Sequence, residues 1–285
     1  MTTITARLQA ICNRIRAAAE AAGRPPEGVR LVAVSKTFPL DAILEALAAG
    51  QADFGENYVQ EAEGKISALA KTRDAARSTS GVASPKGPLL RPPVWDIADE
   101  HRNGDERRGD VSPTSGVASP KGPLLRPPVW HFIGPIQSNK TRPIAELFDW
   151  VHSVDRVKIA ERLSAARPPG LAPLQVCIQV NVSAEASKSG VPPGEAAALA
   201  RAIAGLPGIR LRGLMAIPEP AGDPGLLRAR FRRVRELKEE IAAGGIALDT
   251  LSMGMSDDLE AAIAEGATLV RVGRAIFGDR PARAG

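Results

Sequence analysis

Cysteine is nearly missing from this chain, and the little there is excludes several chemistries. Cys12 and Cys177 lie far apart, with no C-x-x-C or cysteine–histidine spacing. That pattern argues against a zinc knuckle and a disulfide framework and makes a reducing cytoplasm the expectation. No apolar run approaches the roughly 18 residues that a membrane-spanning helix needs, so no membrane partner is expected. The N-terminus also lacks the basic-then-apolar profile of a signal peptide. Arg7, Arg14 and Arg16 precede the first acid, Glu20, which is the composition of an organellar transit segment. Against that, Ile4, Leu8, Ile11 and Ile15 share one helical face, which favours an ordinary docked helix.

A decisive excess of one charge is lacking too. The formal net charge is +5, but residues 71 to 130 hold 10 Lys+Arg against 7 Asp+Glu and supply +3 of it. The remainder is nearly balanced, so no nucleic-acid partner is expected.

What the chain does have is apolar sequence in short, regularly spaced runs. Its 285 residues, 44% of them hydrophobic, suffice to bury a full core. Runs rich in Val, Ile and Leu alternate with helical patterns at 30 to 35 then 39 to 50, near 53 then 57 to 71, 129 to 133 then 137 to 147, and 150 to 152 then 155 to 166. The alternation continues at 174 to 182 then 193 to 205, 210 to 217 then 224 to 244, 249 to 252 then 256 to 265, and 268 to 272 followed by a short helix. Parallel strands buried on both faces read as continuous apolar runs such as "LQVCIQVNV". Eight such alternations predict an α/β fold with one (β/α)8 TIM barrel over residues 1 to 285.

One segment breaks the rhythm. "TSGVASPKGPLLRPPVW" at 79 to 95 recurs letter for letter at 114 to 130, and residues 81 to 130 contain 9 Pro and 6 Gly. Such a composition predicts disorder, so residues 72 to 128 read as a repeat-containing, disordered insertion loop. Two proline-rich copies do not make a solenoid. The "PLLRPP" stretches could instead serve as polyproline ligands for a partner. The second copy runs into "HFIGPIQSNK" and should supply the barrel strand. The insertion is then expected at the bottom of the barrel.

In "LVAVSKTFPL" an apolar strand ends on Lys36. A lysine there is ordinarily a solvated charge. At the carboxyl-end mouth of a barrel, where active sites gather, its stem lies among apolar walls that favour the neutral, aldehyde-reactive amine. Near the C-terminus, "SMGMSDDLEAAIAEG" reads as a strand end, a Ser/Gly turn and a helix opened by Ser256, and "LVRVGRAIFG" as a strand ending on Gly273. Turns after the last two barrel strands commonly hold phosphate. An ordinary helix cap and a tight turn would explain each alone.

The segments "AVSKTFP", "FGENYVQEA", "WHFIGPIQSNK", "SVDR", "ASKSG", "LRGLMAIPEP" and "LSMGMSDDLEAAIAEGATLVRVGRAIFG" together resemble the pyridoxal phosphate homeostasis protein family, from about residue 5 to 280 outside the insertion. The resemblance implies a barrel similar to the N-terminal domain of alanine racemase, with pyridoxal 5′-phosphate (PLP) held as a Schiff base on Lys36. It further implies Ser252, Ser256 and the backbone of Gly254, Gly273 and Arg274 around the phosphate, Asn57 and Met215 along the cofactor, and Arg271 facing the pyridine nitrogen. A cation there keeps that nitrogen unprotonated and weakens the ring as an electron sink. A strand-end salt bridge is the plainer role for Arg271.

Racemisation needs an acid/base on each face of the cofactor. The tyrosine that alanine racemases use comes from a second domain, for which this chain is expected to have no sequence, and its sole tyrosine, Tyr58, matches no such role in the family. His131 and His152 read as structural groups. A cytoplasmic, monomeric, non-catalytic protein of PLP homeostasis is therefore expected, which buffers the cofactor or delivers it to PLP-dependent apo-enzymes. A PLP-dependent amino-acid racemase of the same fold, or a phosphate-binding barrel with no covalent cofactor, are the alternatives. Lys140 and Lys188 are further candidates for an aldehyde-reactive amine.

Overall fold

The computed structural model describes residues 3–79, 127–183 and 189–279. Eight parallel strands close into one barrel in the order β1 to β8, each strand paired with its neighbours in sequence and β8 with β1. They are β1 (Arg30–Val34), β2 (Asp53–Glu56), β3 (Val129–Phe132), β4 (Trp150–Val154), β5 (Leu174–Gln179), β6 (Ile209–Met215), β7 (Thr250–Ser252) and β8 (Leu269–Val272). Helix α1 (Ile4–Ala21) precedes the barrel. Each strand is followed by a helix, in turn α2 (Leu40–Ala48), α3 (Val59–Thr79), α4 (Thr141–Leu147), α5 (Val157–Ala166), α6 (Ala196–Ala204), α7 (Pro224–Ala243), α8 (Leu259–Ala264) and α9 (Arg274–Phe277). The predicted TIM barrel is the observed one.

The core has two compartments, as buried parallel strands require. Outward-facing residues such as Ala33, Phe54, Val151, Leu214 and Val270 pack under the helices, while Val32, Trp150, Cys177, Met215 and Leu269 fill the lumen. Helix α1 docks as its pattern predicted. Leu8, Ile11 and Ile15 are buried against the barrel helices, an apolar anchor worth roughly 2 kcal/mol per side chain. Thr3 Oγ1 caps α1 by accepting from the N–H of Ala6, and Arg14 ties it to α8 through Glu260 at 2.9 Å. Among the described residues no helix is long and apolar enough to cross a membrane.

Two differences from the sequence pattern bear on the insertion and on the site. Helix α3 runs on to Thr79, past the expected end at residue 71, because "SALAKTRDAARST" contains no glycine or proline to stop it. The rest of the repeat-containing insertion, residues 80–126, lies outside the described residues. Its two ends are the C-terminus of α3 and the N-terminal edge of β3, where Val129 pairs with Asp53. The second difference is α8, which begins at Leu259 rather than at Ser256. Ser256 sits in the preceding turn, where Asp258 Oδ1 accepts from the N–H of Met255 at 2.5 Å. Ser256 therefore does not open the helix.

Candidate functional site

A cavity of about 600 Å³ opens at the carboxyl ends of the strands, between the last and first turns of the barrel. Its wall includes Lys36, Asn57, Ser256, Arg271, Gly273 and Arg274, so six of the nine residues expected at a cofactor site converge there. Val34, Phe38, Ile133 and Ile217 supply apolar wall. Pairing explains the convergence: Val32 lies opposite Arg271 and Ala33 opposite Val272, so the turns that leave β1 and β8 are neighbours.

The other three expected residues lie behind this wall. Met215 is wholly buried among Val32, Trp150, Cys177 and Leu269. Ser252 is also wholly buried and accepts from Arg271 Nη1 at 2.6 Å. Gly254 has φ of 96°, and a Cβ there would come within 2.7 Å of the Ala262 side chain. Only glycine combines that backbone with close packing on α8. The backbone oxygen of Gly254 accepts from the Arg271 N–H at 2.9 Å, so Gly254 shapes the turn beside the cavity.

The main chain around Lys36 is pinned on both sides by residues that sequence reading did not single out. Before it, Ser35 is wholly buried. Its Oγ donates to Glu56 Oε1 at 2.7 Å, and its carbonyl accepts from Lys65 Nζ at 2.8 Å. After it, Thr37 adopts a left-handed φ of 69°, and its N–H donates to Glu61 Oε1 at 2.5 Å. A non-glycine residue there costs on the order of 1 kcal/mol, which the Glu61 bond offsets. Lys65 completes the cluster with bonds to Glu56 at 2.8 Å and Glu61 at 2.6 Å. Burial outweighs the Lys65 and Ser35 contacts and pushes the Glu56 carboxyl up. The spacing of Glu61 and Lys65, four apart on one helix, was a readable signal for half of this cluster; the approach of Glu56 was not.

Arg271 is buried, with Nη1 donating to the Ser252 carbonyl at 2.5 Å and Nη2 to the Ala216 carbonyl at 3.0 Å. Burial, opposed by Asp258, lowers it to about 10, so it remains a cation at neutral pH. It is not in a strand-end salt bridge; its guanidinium donates to two carbonyls and a hydroxyl. His131 and His152 are wholly buried inside the barrel and do not line the cavity. Lys140 follows β3 in a short 3-10 turn and is absent from the cavity wall. Lys188 lies outside the described residues.

Burial lowers both imidazoles, His152 well below its ordinary value and His131 less so because Asp53 opposes the shift. Below an ordinary value near 6.5 the unfolded chain therefore binds protons that the folded chain does not. The associated stability is full above that pH and is lost as pH falls toward the folded values, by up to about 1.4 kcal/mol per pH unit per imidazole. The urea midpoint is expected to drop between pH 7.5 and pH 5.5, by about one pH unit of that slope for each imidazole because only the span below about 6.5 counts, and to drop less in a His131→Gln/His152→Asn double variant. An equal drop in both proteins would contradict this.

The residues present fit PLP. An amine, a serine hydroxyl and a glycine–arginine turn face one apolar-walled space, and the side-chain oxygen of Asn57, which lines it, is buried without a hydrogen-bond partner. An orphaned acceptor of that kind costs roughly 1–3 kcal/mol, a cost that a donor on a bound molecule would relieve.

Comparison with known proteins agrees with this arrangement. The alanine racemase N-terminal domain family matches residues 6–281. A pyridoxal phosphate homeostasis protein of Pseudomonas aeruginosa is 51% identical over 98% of this chain and 97% of its own, and one of Vibrio cholerae is 44% identical over 98% of each. PipY of Synechococcus elongatus PCC7942, whose structure was solved with PLP bound, superposes with a TM-score of 0.68 at 31% identity, covering 97% of this chain and 100% of that one. The chain belongs to the pyridoxal phosphate homeostasis protein family, within the wider group that shares the alanine racemase N-terminal domain.

Proposed function

We propose that this protein binds PLP through a Schiff base to Lys36 and takes part in intracellular PLP homeostasis, buffering the cofactor or handing it to PLP-dependent apo-enzymes, with no catalytic turnover of its own. The observation that carries the reading is the convergence of Lys36, Asn57, Ser256, Arg271, Gly273 and Arg274 on one cavity. Relatives that carry the homeostasis name, and PipY with PLP bound, support it. In this reading it works in the cytoplasm as a monomer.

When bound, PLP supplies an aldehyde that condenses with an amine and a ring that can draw electrons from an attached carbon. Lys36 presents the amine at the end of β1. The Ser256 hydroxyl and the Gly273–Arg274 turn are the groups for the phosphate, and Arg271 and Asn57 those for the ring. Arg271 can only donate hydrogen bonds, so a ring nitrogen beside it would serve as acceptor and stay unprotonated. That favours holding the cofactor over labilising an amino-acid α-proton. No histidine, cysteine or tyrosine is among the described residues that line the cavity, which supports the carrier reading against a two-base racemase.

Incubation of the loaded protein with L-alanine and other amino acids in deuterium oxide tests this choice. The expected result is no exchange above that of free PLP; rapid α-deuteration with formation of the D-enantiomer would establish the racemase instead. Deletion of residues 79 to 113 should leave PLP affinity unchanged by titration, since α3 and β3 adjoin the insertion at the strand N-termini, away from the cavity. The repeat restores Thr114, Ser115 and Gly116 at the junction in place of Thr79, Ser80 and Gly81. A changed affinity would contradict that placement.

A further inference from the structure

The barrel lumen carries a line of buried polar side chains that the cofactor site does not by itself explain. Asp53 Oδ1 lies 2.9 Å from His131 Nε2, His131 Nδ1 lies 2.9 Å from His152 Nε2, and His152 Nδ1 lies 2.7 Å from Ser252 Oγ. Arg271 Nη1 donates to the same Ser252 Oγ at 2.6 Å. The line begins at the N-terminal edge of β2, where Asp53 also pairs with Arg30. It passes through β3, β4 and β7 and ends on the arginine in the cavity wall.

Both ends of the line have a fixed hydrogen-bonding sense. A guanidinium has only donors and a carboxylate only acceptors. Ser252 Oγ receives a hydrogen from Arg271, so its own hydrogen is free to point to His152 Nδ1. His152 then carries its hydrogen on Nε2 and gives it to His131 Nδ1. His131 in turn carries its hydrogen on Nε2 and gives it to Asp53. With both imidazoles neutral, this is the one assignment that satisfies all four bonds. The lowered basicity of both imidazoles on burial agrees with it, as does the Asp53 carboxyl, which burial alone would raise but which His131 and Arg30 hold below its usual range.

We infer that Asp53, His131, His152 and Ser252 form a one-way hydrogen-bond relay that keeps a lone pair of Ser252 turned to Arg271, making the two histidines positioning residues for the guanidinium in the cofactor cavity. The relay stands on the geometry alone; its bearing on the cofactor rests on the function proposed above. Such a line also explains why the lumen tolerates so much polarity, since a buried polar chain is acceptable only when every member is satisfied.

Nitrogen-15 NMR of the ligand-free protein tests the relay directly, because the chain has three histidines and two of them are in the lumen. Both lumen imidazoles are expected to carry hydrogen on Nε2 and none on Nδ1 at neutral pH. A hydrogen on Nδ1 of either ring would overturn the assignment. For the positioning role, PLP titration followed by absorbance compares His152→Leu, which removes the acceptor for Ser252, with His152→Asn, which returns one near the Nδ1 position. His152→Leu should weaken binding about fivefold, the worth of one hydrogen bond, and displace the absorbance maximum. His152→Asn should recover most of both. Equal behaviour of the two variants would overturn the role. Wild-type protein with the expected tautomers but no PLP absorbance band would overturn the cofactor reading and the positioning role together, leaving the relay itself in place.

Discussion

Lys36→Ala is expected to abolish the visible absorbance band that the protein develops with PLP and to raise the dissociation constant at least about tenfold, or about 1.4 kcal/mol. The band requires a Schiff base, and Lys36 is the sole lysine among the described residues that line the cavity. The fold should be unaffected. On either side of Lys36, Glu56 holds the Ser35 hydroxyl, Lys65 the Ser35 carbonyl and Glu61 the Thr37 N–H, and all three bonds remain in the variant. The unfolding midpoint should therefore stay where it is while the band disappears. Binding that remains would come from the phosphate and ring contacts. Lys65 is the rival amine by proximity, but it already donates to three oxygens at 2.6 to 2.8 Å. Borohydride reduction of the loaded wild-type protein fixes the cofactor to whichever amine holds it, and peptide mass spectrometry is expected to find it on Lys36. Label on Lys65 or Lys140, or a band that persists in Lys36→Ala, would refute the assignment.

The fold was legible because the barrel imposes one simple pattern many times over. Every strand is covered on both sides, so "LVAV", "LQVCI" and "TLVRV" read as apolar runs, and each must be followed by a helix to return the chain to the bottom. Boundaries were less legible where local chemistry offered two answers. Ser256 with Asp257 and Asp258 has the composition of a helix start, yet the chain spends those residues on a turn along the cavity wall. The site was legible where its residues flank strand ends, as Lys36, Arg271 and Gly273 do. The arrangement was not legible where it depends on closure of the barrel. Asp53 and Ser252 are 199 residues apart in sequence, and only the pairing of all eight strands puts them on one hydrogen-bonded line. Met215 and Ser252 look alike from sequence, each at the end of an apolar strand, and they do pair with each other. One became lumen packing and the other the support of Arg271.

The largest loss of stability is expected at a position outside the cavity wall, Gly213 in β6. It pairs with Thr250 of β7, and a Cβ on Gly213 would stand 1.8 Å from the Thr250 carbonyl oxygen and 2.6 Å from its carbon. Those atoms are backbone and cannot swing aside. They are also held in place, because Arg212 binds Asp249 at 2.6 Å and the Asp249 N–H donates to the Arg212 carbonyl at 2.9 Å. Gly213→Ala must therefore push β6 and β7 apart, at a cost of about 3 kcal/mol or more, which in a domain of this size lowers the melting temperature by roughly 6 to 12 °C. Gly55→Ala in β2 is the matched control. Its Cβ would meet the ends of the Ile133 and Val32 side chains at 3.1 Å, and flexible side chains can yield by tenths of an ångström, so a loss below about 1.5 kcal/mol is expected. The two glycines thus separate backbone crowding from side-chain crowding inside one barrel. Gly213 also reaches the cavity: two residues along, Met215 pairs with Ser252, whose hydroxyl and carbonyl both bind Arg271. Any Gly213→Ala protein that does fold should consequently bind PLP more weakly than Gly55→Ala. Comparable melting temperatures for the two variants would show that β6 and β7 have more freedom to separate than their pairing implies.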